Sequence, residues 1–78
     1  HKRTSLRIKV FGSRSPQVLS RLLSKLSHRR AKPQDVRIQD AEPSCIGTFT
    51  FAVRDEHELE RIIATIMNVR GVHHIERM

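Results

Sequence analysis

Three groups of residues in this chain have types and spacings that could do chemistry. His73-His74 places two imidazoles side by side. Adjacent residues on a strand point to opposite faces, so the pair cannot chelate one ion together. Cys45 is the single cysteine. It permits no disulfide within the chain and no thiol-rich metal site, and nothing in cysteine usage argues for secretion. No His lies near it in sequence to make a reactive thiolate, so it reads as an inert thiol. Glu56, Glu58 and Glu60 follow Asp55 at a helix start, where negative charge is favoured; that position accounts for them better than acid–base catalysis does. No serine sits in a G-x-S-x-G or comparable turn. The expectation is a non-enzymatic segment with no catalytic residue, no metal site and no cofactor.

Binding chemistry is better represented. Gly12-Ser13-Arg14-Ser15-Pro16 joins an alternating run to a helical one. Gly12 lets backbone approach a ligand, the N–H groups opening the helix suit a carboxylate or phosphate, and Arg14 adds a cation. An ordinary capped turn, with Ser15 as N-cap and Pro16 at the first helical position, has the same appearance. A second candidate is a basic sheet face of Arg7, Lys9 and Arg37, with Thr48, Thr50 and Phe11 beside them.

The elements that must carry these residues follow from periodicity. Leu6, Ile8 and Val10 alternate with Ser5, Arg7 and Lys9 over residues 5–11, a half-buried strand. Val18, Leu19, Leu22, Leu23 and Leu26 mark one helical face, and His28-Arg29-Arg30 places cations at that helix's C-terminus. Lys32-Pro33-Gln34 breaks the pattern. Val36 and Ile38 form a short second strand, and residues 40–44 read as a turn or hairpin loop. Phe49, Phe51 and Val53 share one face of a third strand over 45–54. Asp55 and Glu58 form a capping-box-like pair opening a second helix, whose stripe is Leu59, Ile62, Ile63, Ile66 and Met67. Gly71 is expected at its C′ position. Residues 72–77 make a closing strand in which Val72 and Ile75 fall on opposite faces.

The order β-α-β-β-α-β predicts an α+β, ferredoxin-like sandwich: a four-stranded antiparallel sheet with two helices on one face. Residues 1–78 make a single domain. The expected core is Leu6, Ile8, Val10, Leu19, Leu22, Leu23, Leu26, Val36, Ile38, Phe49, Phe51, Val53, Leu59, Ile62, Ile63 and Ile66. A first residue of His rather than Met suggests a piece of a longer protein. No run approaches the ~20 apolar residues of a membrane span, so a soluble, cytoplasmic location without direct membrane insertion is expected.

The 78 residues carry a net charge of +7, unevenly placed. Residues 1–39 hold eleven bases and one acid, whereas residues 40–78 hold four bases and seven acids. Such asymmetry fits a solvated surface, self-association or a polyanionic partner. Base-stacking recognition of RNA is disfavoured by register. In Gly47-Thr48-Phe49-Thr50-Phe51 the rings stand one position away from where an RNA-recognition motif presents them, and one step on a strand turns a side chain to the other face. Arg7 stands where the first strand of such a motif wants a ring. Nonspecific phosphate contact by Arg7, Lys9 and Arg37 remains open.

Residues 49–78 resemble the end of the ACT domain that closes RelA/SpoT-type (p)ppGpp synthetase/hydrolase proteins. Phe49-Thr50-Phe51-Ala52-Val53-Arg54-Asp55 looks like the strand of that family. His57-Glu58-Leu59-Glu60-Arg61-Ile62-Ile63 looks like its helix, and Val69-Arg70-Gly71-Val72 with Ile75-Glu76-Arg77 like its tail. In the first half, Gly12-Ser13-Arg14-Ser15-Pro16-Gln17-Val18-Leu19 stands where that family carries Asp-Arg-x-Gly-Leu-Leu. The resemblance implies a regulatory module that senses an amino acid or contacts ribosomal RNA and signals to linked catalytic domains. It places a ligand at Phe11, Gly12, Ser13, Arg14 and Ser15. The partners it implies are a second copy or sibling domains. The C-terminal cytosolic domain of MgtC/SapB-type membrane proteins is similar in outline, with His1-Lys2-Arg3 as a basic flank after a span. The small regulatory subunit of acetolactate synthase also shares the outline.

Overall fold

A computed structural model of the chain describes residues 2–78. The elements run β1 (Thr4–Ser13), α1 (Pro16–His28), β2 (Asp35–Ala41), β3 (Ser44–Val53), α2 (Glu56–Met67) and β4 (Val72–Arg77). The sheet order is β2-β3-β1-β4 and every neighbouring pair is antiparallel. This is the ferredoxin-like topology expected from the pattern.

The alternating residues of β1 and β3 set the register. Leu6 faces Phe51, Ile8 faces Phe49 and Val10 faces Gly47. Slipping by one residue would turn both apolar rows to solvent, so burial fixes the pairing. Ile8, Phe49, Phe51, Leu26, Leu59 and Ile66 are almost fully buried between the sheet and the helices. Val18, which helical spacing marks but the expected core leaves out, joins this core, and so does Val69, which the periodic pattern does not mark.

Three expected core residues lie outside it. Leu23, Val36 and Ile38 are 40%, 36% and 49% exposed. β2 is exposed along six of its seven residues because it lies at the sheet edge beyond the cover of the helices. Leu23 marks the border of the buried stripe of α1, which is carried by Val18, Leu22 and Leu26.

β4 departs from expectation through a bulge. Phe11 pairs with His74 and Gly12 with Val72, leaving His73 as the extra residue. The extra residue reverses the alternation. Val72 and Ile75 therefore share a face and both pack on the core.

The helix ends also differ from the simplest reading. Asp55 caps α2, accepting from the Glu58 N–H at 2.9 Å. The Glu58 carboxylate reaches back to the Arg54 N–H at 3.1 Å, one residue earlier than in a capping box. Ser15 holds the N-cap position of α1, but its hydroxyl makes no capping bond. α2 stops at Met67 with Asn68 as its C-cap, so Gly71 is not the C′ residue. Gly71 serves the turn into β4 instead. Its φ is +105°, and a Cβ there would meet Val18 Cγ2 at 2.5 Å. Its carbonyl accepts from the Ser13 N–H at 2.9 Å, and a Cβ on Gly12 would meet that same carbonyl oxygen at 2.8 Å. The two glycines thus let the end of β1, the start of β4 and the first turn of α1 meet closely.

Candidate functional site

The end of β1 and the start of α1 open onto a cleft of about 360 Å³. Gly12, Ser13, Arg14 and Ser15 form one lip of it, and Ile38 and Asp40 of β2 form the other. Val10, Val18, Leu19 and Leu22 give it apolar walls. β2 helps to define the cleft because no helix lies over that edge strand, which leaves Ile38 uncovered.

Arg14 crosses the mouth. Its Nε lies 2.7 Å from Asp40 Oδ1, and its Nη2 donates to Asp40 Oδ2 at 2.8 Å. Its Nη1 donates to Glu42 Oε1 at 2.6 Å. The Asp40 pairing is bidentate, which fixes the guanidinium plane. All three side chains are substantially exposed, so the pairs hold the lip in place more than they stabilise the fold. The first turn of α1 has no acidic side chain, and Ser15 leaves its capping role unused. The positive end of that helix is therefore not offset by its own residues.

The structure brings together Gly12, Ser13, Arg14 and Ser15 but sets Phe11 apart. Phe11 lies on the opposite face of the sheet, against His74 with ring centroids 5.6 Å apart. Asp40 and Glu42 belong to the site and were missed in sequence. Their only sequence signal was position, at the end of a short strand and in the turn that follows it. The chain between Ala41 and Ser44 turns in two residues, and this tight hairpin delivers both carboxylates to Arg14.

The open sheet face is mixed rather than purely basic. One row across the strands reads Arg37, Thr48, Lys9, Glu76, and the next reads Asp35, Thr50, Arg7. Arg37 is tied to Asp35 at 3.0 Å. Phe49 and Phe51 are 1% exposed on the helix side, as the register argument requires, so no ring from β3 faces outward. Cys45 lines the cleft and is partly buried. Among the described residues no group of three or more His, Cys, Asp or Glu side chains gathers to hold a metal ion. Among the described residues no helix is long and apolar enough to cross a membrane.

The family model of the ACT domain matches residues 1–77. The chain belongs to the ACT domain family. ACT domains are non-catalytic regulatory modules that commonly bind small ligands and oligomerise. Two solved structures show how closely this ACT domain keeps the fold. The crystal structure of the ACT domain from GTP pyrophosphokinase of Chlorobium tepidum is 13% identical. It aligns with a TM-score of 0.82 over 97% of this chain and 99% of that one. The solution structure of the C-terminal domain of the MgtC protein from Mycobacterium tuberculosis is also 13% identical, with a TM-score of 0.71 over 99% of this chain and 86% of that one. At such identities the likeness shows the fold alone. No curated protein matches the chain.

Proposed function

We propose that this ACT domain is a regulatory module that senses a small ligand in the β1–α1 cleft and transmits occupancy to partner domains. The carrying observation is the cleft itself, in which Arg14 and Asp40 stand together at the mouth of an apolar cavity. An amino acid suits that chemistry. Its carboxylate matches Arg14 and the helix N-terminus, its ammonium matches Asp40, and an apolar side chain matches Val10, Leu19 and Leu22. A bound zwitterion exchanges the Arg14–Asp40 pair for two ligand contacts and so moves the β2 hairpin relative to α1. Regulation requires the ligand to bind docked and undocked states unequally. The exposed edge strand β2, with Val36 and Ile38, is the surface on which a second copy or a sibling domain would register the change.

The parent protein we favour is a (p)ppGpp synthetase/hydrolase of the stringent response. The support is the motif pattern of residues 49–78, together with the GTP pyrophosphokinase neighbour. The test is a thermal-melting and light-scattering screen of the twenty amino acids. An apolar amino acid should raise the melting temperature and change the oligomeric state, and Arg14→Gln should abolish the response. If no amino acid alters either property, the sensing role goes, leaving a docking role. The MgtC-like neighbour supports a second parent, a membrane protein with this domain in the cytosol. Apolar spans encoded upstream of His1 would favour it, and a nucleotide-transferase domain there would exclude it.

A further inference from the structure

We propose that the domain carries a second site, for multiply phosphorylated ligands, in the basic cavity at the C-terminal end of α1. It lies at the opposite end of α1 from the β1–α1 cleft and does not depend on it. The cavity is about 570 Å³. Small-ligand sites commonly occupy ~300–1,000 Å³. Arg3, Arg29, Arg30, Lys32, Arg54 and Arg61 line it, against one carboxylate, Glu58. These bases come from the lead into β1, the exit of α1, the β3–α2 turn and α2 itself, so only the fold assembles them.

Glu58 is already engaged. Its Oε2 accepts from Arg54 Nε at 3.2 Å, and its Oε1 accepts from the Arg54 N–H at 3.1 Å. Arg3 stands 3.9 Å from the same Oε1 and donates to the Ala52 carbonyl at 3.3 Å. Arg29, Arg30, Lys32 and Arg61 have no carboxylate partner among the described residues. Like charges gathered in this way repel one another. An anion placed among them turns that repulsion into attraction.

The backbone supplies an independent observation. Arg30 has φ +56°, the left-handed region, directly after the α1 cap residue Arg29. Glycine is the usual occupant of such a position, because a Cβ there crowds the carbonyl oxygen. The turn alone would favour glycine, so what the arginine adds is its side chain and charge, placed at the cavity.

The lining also selects the kind of anion. Guanidinium groups take phosphate oxygens two at a time. Four unpaired bases around one cavity match a ligand with two or more phosphates better than a single carboxylate. Phe51 contributes to the floor but is 1% exposed, so no ring is presented for a nucleobase to stack on. Recognition is of the phosphates. A free polyphosphorylated small molecule and an RNA backbone share that chemistry; the concave shape favours the compact free ligand.

Inorganic tripolyphosphate is the probe, titrated into the 78-residue chain by calorimetry and followed by thermal melting. R29Q/R61Q should weaken its binding at least about tenfold, since two charged contacts are lost. R7Q/K9Q/R37Q on the open sheet face should change it by less than about threefold, because screening limits distant charges. R30G should bind less tightly while melting a few degrees higher, which separates the ligand role from the fold role. A single-stranded RNA of about twelve nucleotides, long enough for a backbone-tracking groove, identifies the source. Displacement of tripolyphosphate assigns the site to a phosphodiester backbone, and no displacement assigns it to a free ligand. The proposal is overturned if tripolyphosphate produces neither heat nor a melting shift, or if sulfate at equal ionic strength binds as well. Equal losses in the cavity and sheet-face variants, or undiminished binding by R30G, overturn it too.

Discussion

The two ends of α1 treat arginine in opposite ways. At the N-terminal end Arg14 is paired with both Asp40 and Glu42, and the cleft it guards has apolar walls. At the C-terminal end Arg29, Arg30, Lys32 and Arg61 face a cavity whose sole carboxylate is held by Arg54 and approached by Arg3. Both ends lie in or beside the basic half of the chain, yet only one keeps its positive charge available. Net charge therefore identifies neither site. What distinguishes them is which acids the fold delivers: the β2 hairpin brings two to Arg14, and the start of α2 brings one to six bases.

The largest effect is expected in the core that both ends of α1 share. Phe51→Ala removes a ring that belongs to the core and to the floor of the basic cavity. It should cost about 3–5 kcal/mol. A domain of this size commonly has ~4–12 kcal/mol in total, so urea unfolding should show a much lower midpoint and both ends should fail together. Gly71→Ala is aimed at one end. The new Cβ enters the left-handed region against Val18, at a cost of about 1–3 kcal/mol. Amino-acid-induced stabilisation should be lost, whereas the folded fraction should still bind tripolyphosphate. Equal loss at both ends would mean that the two sites are not independent.

Smaller changes sharpen the contrast. Arg30→Gly should raise unfolding stability by about 0.5–1 kcal/mol, because it relieves the left-handed strain. A decrease in urea-unfolding stability would show that the Arg30 side chain supports the fold. Arg14→Gln should change stability by less than about 1 kcal/mol, as expected for exposed ion pairs. Its effect should appear in the amino-acid response alone. Raising salt should weaken tripolyphosphate binding steeply, since the interaction is charge against charge. The amino-acid response, resting partly on apolar walls, should fall less; parallel salt slopes would remove the distinction between the ends.

Much of the fold was legible because its signals are local. Strand alternation placed Ile8, Val10, Phe49, Phe51 and Val53 on one face, and helical spacing placed Leu22, Leu26, Leu59, Ile62 and Ile66 against them. Gly12-Ser13-Arg14-Ser15 was legible as a strand-to-helix loop. Val36 and Ile38 misled because alternation shows that residues share a face but not whether a helix reaches it. Val72 and Ile75 misled for a different reason: a single bulged residue at His73 reversed the parity of the strand.

The sequence by itself determined the order of elements, the inward register of the β3 rings and the likeness to ACT domains. These depend on periods of two and 3.6 residues and on short motifs, which neighbouring residues define among themselves. Only the tertiary structure decided which charges are satisfied. Asp40 and Glu42 are 26 and 28 residues from Arg14 in sequence, yet lie within 3 Å of its guanidinium. Arg3, Arg30, Arg54 and Arg61 share one cavity from separate segments of the chain. Coulomb energy depends on distance in ångströms and on the surrounding medium, and chain separation specifies neither.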